Sequence, residues 1–184
     1  MLIGLCGKPG CGKDTLAEQL VLHDVYERYR LADPIKNMLR QFHITDDVWE
    51  DHTRKDKPIP WLGVSPRYLA QTLGTEWGRQ LVHPDIWLKL AQGRWQYLNA
   101  DGKGRMVIPD IRFENEAEWV RKQHGILIRI LRPQFNHVAD NSLHVSEVGF
   151  PEKYVSGTVY NSMTPEDLRS VMWSTVQDIR EIEK

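Results

Sequence analysis

The stretch Gly7-Lys8-Pro9-Gly10-Cys11-Gly12-Lys13 constrains this chain more than any other. It fits the spacing GxxxxGK, in which bare backbone amides curl around phosphate oxygens and a lysine reaches the outer phosphates. Glycine is required where a side chain would block that close approach. A short apolar run from Met1 to Cys6 precedes the loop, and Leu16, Ala17, Leu20, Val21 and Val25 recur after it at helical spacing. Strand, loop, helix is the context in which the spacing signals a phosphate cradle rather than a glycine turn joining two elements. Composition alone produces such a match in about one chain in twenty of this length. The helix N-terminus adds roughly half a positive charge toward a bound anion.

The position after the lysine departs from the general pattern. Asp14 stands where a serine or threonine commonly ligates magnesium, with Thr15 immediately behind it. A carboxylate beside a triphosphate is repelled unless a cation or lysine intervenes, so Asp14 either holds the metal, through water, or points at the acceptor. A third reading is a first-turn acid favoured by the helix dipole. Thr15 still offers its hydroxyl to a phosphate or a metal.

The remaining chain reads as elements in series. Tyr29 to Leu31 suggests a second strand, and Asp33-Pro34 has the order of an N-cap followed by proline, opening a helix through about Phe42. Thr45 to Gly63 reads as an irregular or mobile connection. Ser65-Pro66 starts a helix to about Gln80, and His83-Pro84-Asp85 precedes another with Ile86, Leu90 and Leu98. Arg105 to Pro109 forms a short strand delivering Asp110 to its end, Glu114 to His124 a helix, and Ile126 to Leu131 a buried parallel strand. Tyr154 to Tyr160 is the last strand, before a helix capped by Thr164. This alternation predicts an α/β fold: about five mainly parallel strands with helices on both faces.

Lys and Arg number 24 against 25 Asp and Glu, a formal charge of -1, so no basic excess recruits a nucleic-acid polymer. No apolar stretch reaches the roughly 18 residues of a membrane span, and the N-terminal sequence lacks the pattern of an export leader. Cys6 and Cys11 lack metal-knuckle spacing and read as reduced thiols. A cytoplasmic protein is expected. At 184 residues the chain suits a single domain.

GKPGCGKDT, LADPIK, SPRYLAQTLGTEWGR, PDIRFENE and LHVSE, in that order, resemble the blocks of the phage-type deoxynucleoside monophosphate kinases. GKDT is shared with other small-molecule kinases, whereas the ordered set of five blocks is specific. The resemblance implies a P-loop NTPase fold of the nucleoside-monophosphate-kinase variant over residues 1–184. It further implies an acceptor-binding helical insertion over about 34–98 and a lid-like segment over about 132–147 that includes Asp140, His144 and Glu147. It implies transfer of a phosphoryl group from ATP, with Mg2+, to a deoxynucleoside monophosphate, in the host cytoplasm if the chain is phage-encoded. Gly7, Gly10, Cys11, Gly12, Lys13, Asp14 and Thr15 are then the ATP-binding residues.

Bringing two anionic ligands together in line requires further cations. Lys36, at helical spacing from Arg40, and Arg67 and Arg79 on the following helix are candidates for the acceptor. Arg112 and Arg132 at strand ends join Lys13 and Asp14 as catalytic candidates, with Arg112 alternatively packing against Glu114 and Glu116. Asp33 is a candidate contact to the acceptor or a simple N-cap. Trp77 and Trp87 are candidate base-stacking surfaces, of which Trp87 is the preferred substrate contact, or they are core. Asp110 completes the metal candidates with Asp14 and Thr15. His144 is not needed as a base, because a phosphate acceptor is already ionised. The competing readings are a kinase of another phosphorylated metabolite, such as a phosphomevalonate-kinase-like enzyme, and a non-catalytic nucleotide-binding module. A GTP switch would need an NKxD stretch that the chain lacks. A homodimer is left open.

Overall fold

The structure, a computed structural model, describes residues 1–51, 53–132, 152–162 and 164–182. It falls into two compact units, Met1–Arg30 with Gln92–Lys184, and Leu31–Ala91.

The first unit is built on a five-stranded sheet in the order β2-β3-β1-β4-β5. Its strands are β1 (Leu2–Cys6), β2 (Glu27–Arg28), β3 (Met106–Ile108), β4 (Ile126–Leu131) and β5 (Gly157–Tyr160). Every pairing is parallel, with Gly4 opposite Ile108 and Cys6 opposite Arg129. All five residues of β1 are buried, as expected of a central strand with neighbours on both edges and helices on both faces. Its side chains alternate between those faces. Ile3 and Leu5 join Ile126, Ile128 and Ile130 in one core with Leu16, Ala17 and Leu20 of α1 (Lys13–Asp24) and Leu168, Met172 and Val176 of α7 (Pro165–Ile182). Gly4 faces the opposite side, where an added Cβ would meet Ile111 and Val120 of α6 (Glu114–Lys122). Each fully buried Leu or Ile contributes about 2 kcal/mol of transfer free energy.

The topology places the site. The chain leaves β1 for β2 on one side, while β3 and β4 flank β1 on opposite sides, so the order of strands reverses at β1. Ligands of open α/β sheets bind outside the carboxyl ends of the strands at such a switch point, and there β1 opens into the loop Gly7–Gly12.

Element boundaries differ from expectation in few places. The second strand is Glu27–Arg28, earlier than Tyr29–Leu31, although the Tyr29 N–H still donates to the Val107 carbonyl at 3.0 Å. The last strand begins at Gly157, because Glu152–Tyr154 forms a 3-10 turn instead. Thr164 caps α7 as expected: its hydroxyl accepts the Asp167 N–H at 3.2 Å and donates to the Asp167 carboxylate at 2.8 Å.

The second unit is helical. It contains α2 (Asp33–Leu39) with a 3-10 turn Arg40–Phe42, α3 (Asp46–Glu50), α4 (Pro66–Gln71) and a π-helix over Thr72–Val82. The part of α5 (Ile86–Leu98) up to Ala91 also belongs to it. Ile35, Leu39, Ile44, Val48 and Trp87 form its core. Two expectations are corrected. Asp33 is the first helical residue, and the N-cap is Ala32, which has no side chain to cap with. The stretch Thr45 to Gly63 contains the helix α3 rather than irregular chain alone. The expected helix from Ser65 begins as predicted, with the Ser65 hydroxyl accepting the Tyr68 N–H at 3.2 Å, but it widens into the π-helix at Thr72. There the His83 N–H reaches five residues back to the Gly78 carbonyl at 2.9 Å.

Candidate active site

The cradle follows from glycines placed where nothing else fits. Gly7 has φ 139°, and an added Cβ would collide with the Ile130 carbonyl oxygen of the neighbouring strand. Gly12 has φ 106°, and its Cβ would strike the Asn161 side-chain amide. Gly12 is also the N-cap of α1 and supplies no capping side chain, so no side chain satisfies the first-turn amides of α1 from the cap position. Asn161 is buried, sits just beyond β5 and donates its Nδ2 to the Cys11 carbonyl at 2.8 Å. It thereby fixes the loop from the far edge of the sheet. The Lys13 ammonium lies over the loop, donating to the carbonyls of Gly7 and Lys8 at 2.8 Å each, with Cys11 Sγ 3.7 Å away.

A cavity of about 350 Å³ opens above this loop, lined by Gly10, Gly12, Lys13, Asp14, Thr15, Arg132, Asn161, Pro165 and Leu168. Of the sequence-predicted residues, the structure thus brings together the loop, Lys13, Asp14, Thr15 and Arg132. Cys11 is buried, and Cys6 is buried at the end of β1, where desolvation pushes its thiol above the usual range despite nearby Arg129. Neither is a bridged cysteine. Asp14 is met by a residue the sequence did not single out: Arg30 donates Nε and Nη2 to Asp14 Oδ1 at 3.2 and 2.7 Å.

Asp110 follows β3 beside β1, at the same carboxyl edge. Arg112 has an exposed side chain, and its backbone N–H donates to Glu116 Oε2 at 2.7 Å. Glu116 is 1% exposed and also accepts the Phe113 N–H at 3.0 Å, closing the turn between Asp110 and α6. Neither Asp110 nor Arg112 is among the described residues lining the cavity. Of the lid-like segment only Arg132 is described; residues 133–147, with Asp140, His144 and Glu147, lie outside the described residues.

The predicted acceptor residues all belong to the second unit. Asp33 is half-buried in the first turn of α2. Lys36 lies 5.6 Å from the Trp49 ring centroid, a cation-π contact. Arg67 grips Asp56 with both Nε and Nη2, and Arg79 is half-buried on the π-helix. Trp87, a candidate base-stacking surface or core residue, lies in the core of the second unit. It is 2% exposed, its Nε1 donates to the Gly74 carbonyl at 2.7 Å, and its ring fills the space where a Gly78 Cβ would sit. Trp77, 6.4 Å from it, keeps 41% of its surface exposed.

A model of the deoxynucleotide monophosphate kinase family matches residues 55–172, more than half the chain. The chain belongs to the deoxynucleotide monophosphate kinase family. Among curated relatives of this family member, a putative deoxynucleotide monophosphate kinase of Acanthamoeba polyphaga mimivirus is 29% identical over 190 residues, 97% of each chain. The deoxynucleoside-5'-monophosphate kinase of Escherichia phage T5 is 28% identical over 227 residues, covering 88% of this chain and 89% of that one. Among solved structures, shikimate kinase from Aquifex aeolicus aligns with TM-score 0.54 at 12% identity over 96% of each chain. Dephospho-CoA kinase from Campylobacter jejuni aligns with TM-score 0.50 at 16% identity, over 97% of this chain and 96% of that one. These two likenesses establish the fold, that of the P-loop kinases.

At the cavity the described hard oxygen donors are the Asp14 carboxylate and the Thr15 hydroxyl, with Asp110 placed just beyond β3 at the same carboxyl edge of the sheet. That set suits Mg2+, which binds through one or two protein oxygens while keeping waters and substrate phosphates. Among the described residues no three acids, histidines or cysteines converge into a dedicated metal cage. Arg30 and Asn161 were not singled out by the sequence, whereas Glu116 was, as an alternative partner of Arg112, and it accepts the Arg112 backbone N–H. Arg30 and Asn161 both lie just past strand ends on the ligand-binding edge, but nothing local in the sequence records the partners they meet there. No helix among the described residues is long and apolar enough to cross a membrane.

Proposed function

We propose that this chain transfers the γ-phosphoryl group of ATP to a deoxynucleoside monophosphate, giving ADP and the deoxynucleoside diphosphate. The observation that carries this reading is the glycine cradle at the switch point of a parallel sheet, in a chain of the deoxynucleotide monophosphate kinase family. An oxygen of the acceptor phosphate attacks the γ-phosphorus, the bond to the β–γ bridging oxygen breaks, and its electron pair leaves with ADP. The acceptor is already ionised, so the chain's task is positioning and charge neutralisation rather than proton removal.

The loop amides and first-turn amides of α1 hold the β- and γ-phosphates, and Lys13 turns its ammonium from the loop carbonyls to those oxygens. Arg132 and Arg112 are assigned to the charge of the transferring group. Asp33, Lys36, Arg67 and Arg79 are assigned to the acceptor. Thr15 and the Asp14 and Asp110 carboxylates would hold Mg2+, which would supply charge neutralisation at the phosphates. The place of action is the cytoplasm, which suits two unbridged cysteines.

The test is ADP formation by the purified chain with Mg2+ and each common mononucleotide in turn. Turnover is expected only with a deoxynucleoside monophosphate present. Lys13→Ala should lower kcat at least about a hundredfold, as removal of one preorganised phosphate contact does, with the melting temperature unchanged. Turnover with phosphomevalonate and with no nucleotide would contradict the assignment.

A further inference from the structure

We propose that Arg30 is a positioning residue for phosphoryl transfer, acting through Asp14; this rests on the kinase reading above. Asp14 directly follows Lys13, and its side chain is 68% exposed beside a cradle made for polyanions. A bare carboxylate in that place opposes the ligand the loop exists to bind. Arg30, just beyond β2 on the ligand-binding edge, resolves the conflict. Its guanidinium places two bonds on one oxygen, Oδ1, through Nε at 3.2 Å and Nη2 at 2.7 Å. Two donors from a rigid planar group fix the carboxylate's direction and supply the compensating charge. Oδ2 takes neither bond, so it is the oxygen presented to a hydrated cation or to the acceptor.

A purely structural purpose for the pair is poorly supported. An exposed ion pair of this kind adds little to stability. The turn between α1 and β2 is already closed by the Tyr26 N–H on the Leu20 carbonyl at 3.2 Å, and the edge of β2 by the Tyr29 N–H on the Val107 carbonyl. Asp14 does not cap α1, whose N-cap Gly12 carries no side-chain bond.

The test is a double-mutant cycle on the full chain, measuring steady-state ADP formation with Mg2+ and a deoxynucleoside monophosphate, alongside thermal melting. Arg30→Ala should lower kcat about tenfold or more with the KM for ATP changed less than about threefold, the pattern of an interaction used in the transition state. Arg30→Lys, which keeps the charge and loses the two-point grip, should recover part of the loss. In an Asp14→Asn background the further substitution Arg30→Ala should cost less than about twofold, because two residues acting as one unit are not additive. All variants should melt close to wild type. Equal losses from Arg30→Ala in both backgrounds, an unchanged kcat, or a loss explained by a lowered melting temperature would overturn the role while leaving the kinase reading intact. A wild-type chain without turnover would overturn both.

Discussion

Gly7 and Gly12 shape the cradle by what they lack, since a carbonyl and an amide of distant segments occupy the space a Cβ would need. At the same scale a substitution at Trp87 tests its placement in the core. A core indole whose N–H satisfies a buried carbonyl predicts that Trp87→Phe destabilises the protein by about 2 kcal/mol, from the orphaned Gly74 carbonyl and the lost ring volume. Thermal melting should show the loss, while the acceptor KM, read well below the melting temperature, should move less than about twofold. A normal melting temperature with a large rise in that KM would return Trp87 to the substrate. The loop residues were legible because their geometry is encoded within one short segment. Asn161 was not, because its partner Cys11 lies 150 positions away. Trp87 stayed ambiguous, since an indole suits a core and a base pocket equally well.

Among the elements, α1 ends against its residue preferences. Val25 stops it at φ 57° and ψ 39°, a left-handed conformation costly for a β-branched side chain, and is 82% exposed, so it gains little from burial. Val25→Gly should therefore stabilise the chain by about 1 kcal/mol, seen as a shifted midpoint in urea unfolding; a destabilisation would deny the strain. At the same end, Asp24 ties α1 to α7. Arg169 donates Nε and Nη2 to it at 2.7 and 2.9 Å, and Trp173 Nε1 donates at 3.2 Å. The Arg169 hydrogen bonds, above all, hold the Asp24 carboxyl below its ordinary value despite partial burial. A depressed folded value means the stabilisation is complete above the unfolded value near about pH 4 and is lost as pH falls through the folded one. Asp24→Asn should lower the melting temperature by about 4 °C at pH 7, and the gap from wild type should narrow at pH 3. A gap independent of pH would rule the ion pair out as its cause. Element types were largely readable, most closely for β4, whose continuous apolar run marks a buried parallel strand. The two-residue β2 carries too little pattern to locate. The π-helix was hidden because its first turns read as ordinary helix; within it Gly74 and Gly78 lie against Ile35 and Trp87, contacts between segments that no local pattern records.

For the whole molecule, the strand order β2-β3-β1-β4-β5 brings segments spread between Gly10 and Leu168 to one cavity. A parallel α/β sheet followed from the alternation of strand and helix signals, but their spatial order did not, because nothing local records which side of β1 a returning strand takes. The second compact unit, Leu31–Ala91, begins near the start of the acceptor-binding segment expected over about 34–98, and the stretch beyond Ala91 belongs to the first unit. The most direct measurement is the fate of the label when the chain is given Mg2+, γ-phosphate-labelled ATP and a deoxynucleoside monophosphate. Label is expected in the deoxynucleoside diphosphate, and its appearance should require Lys13. Label that emerges as free phosphate, or remains on ATP with every deoxynucleoside monophosphate offered, would contradict the account.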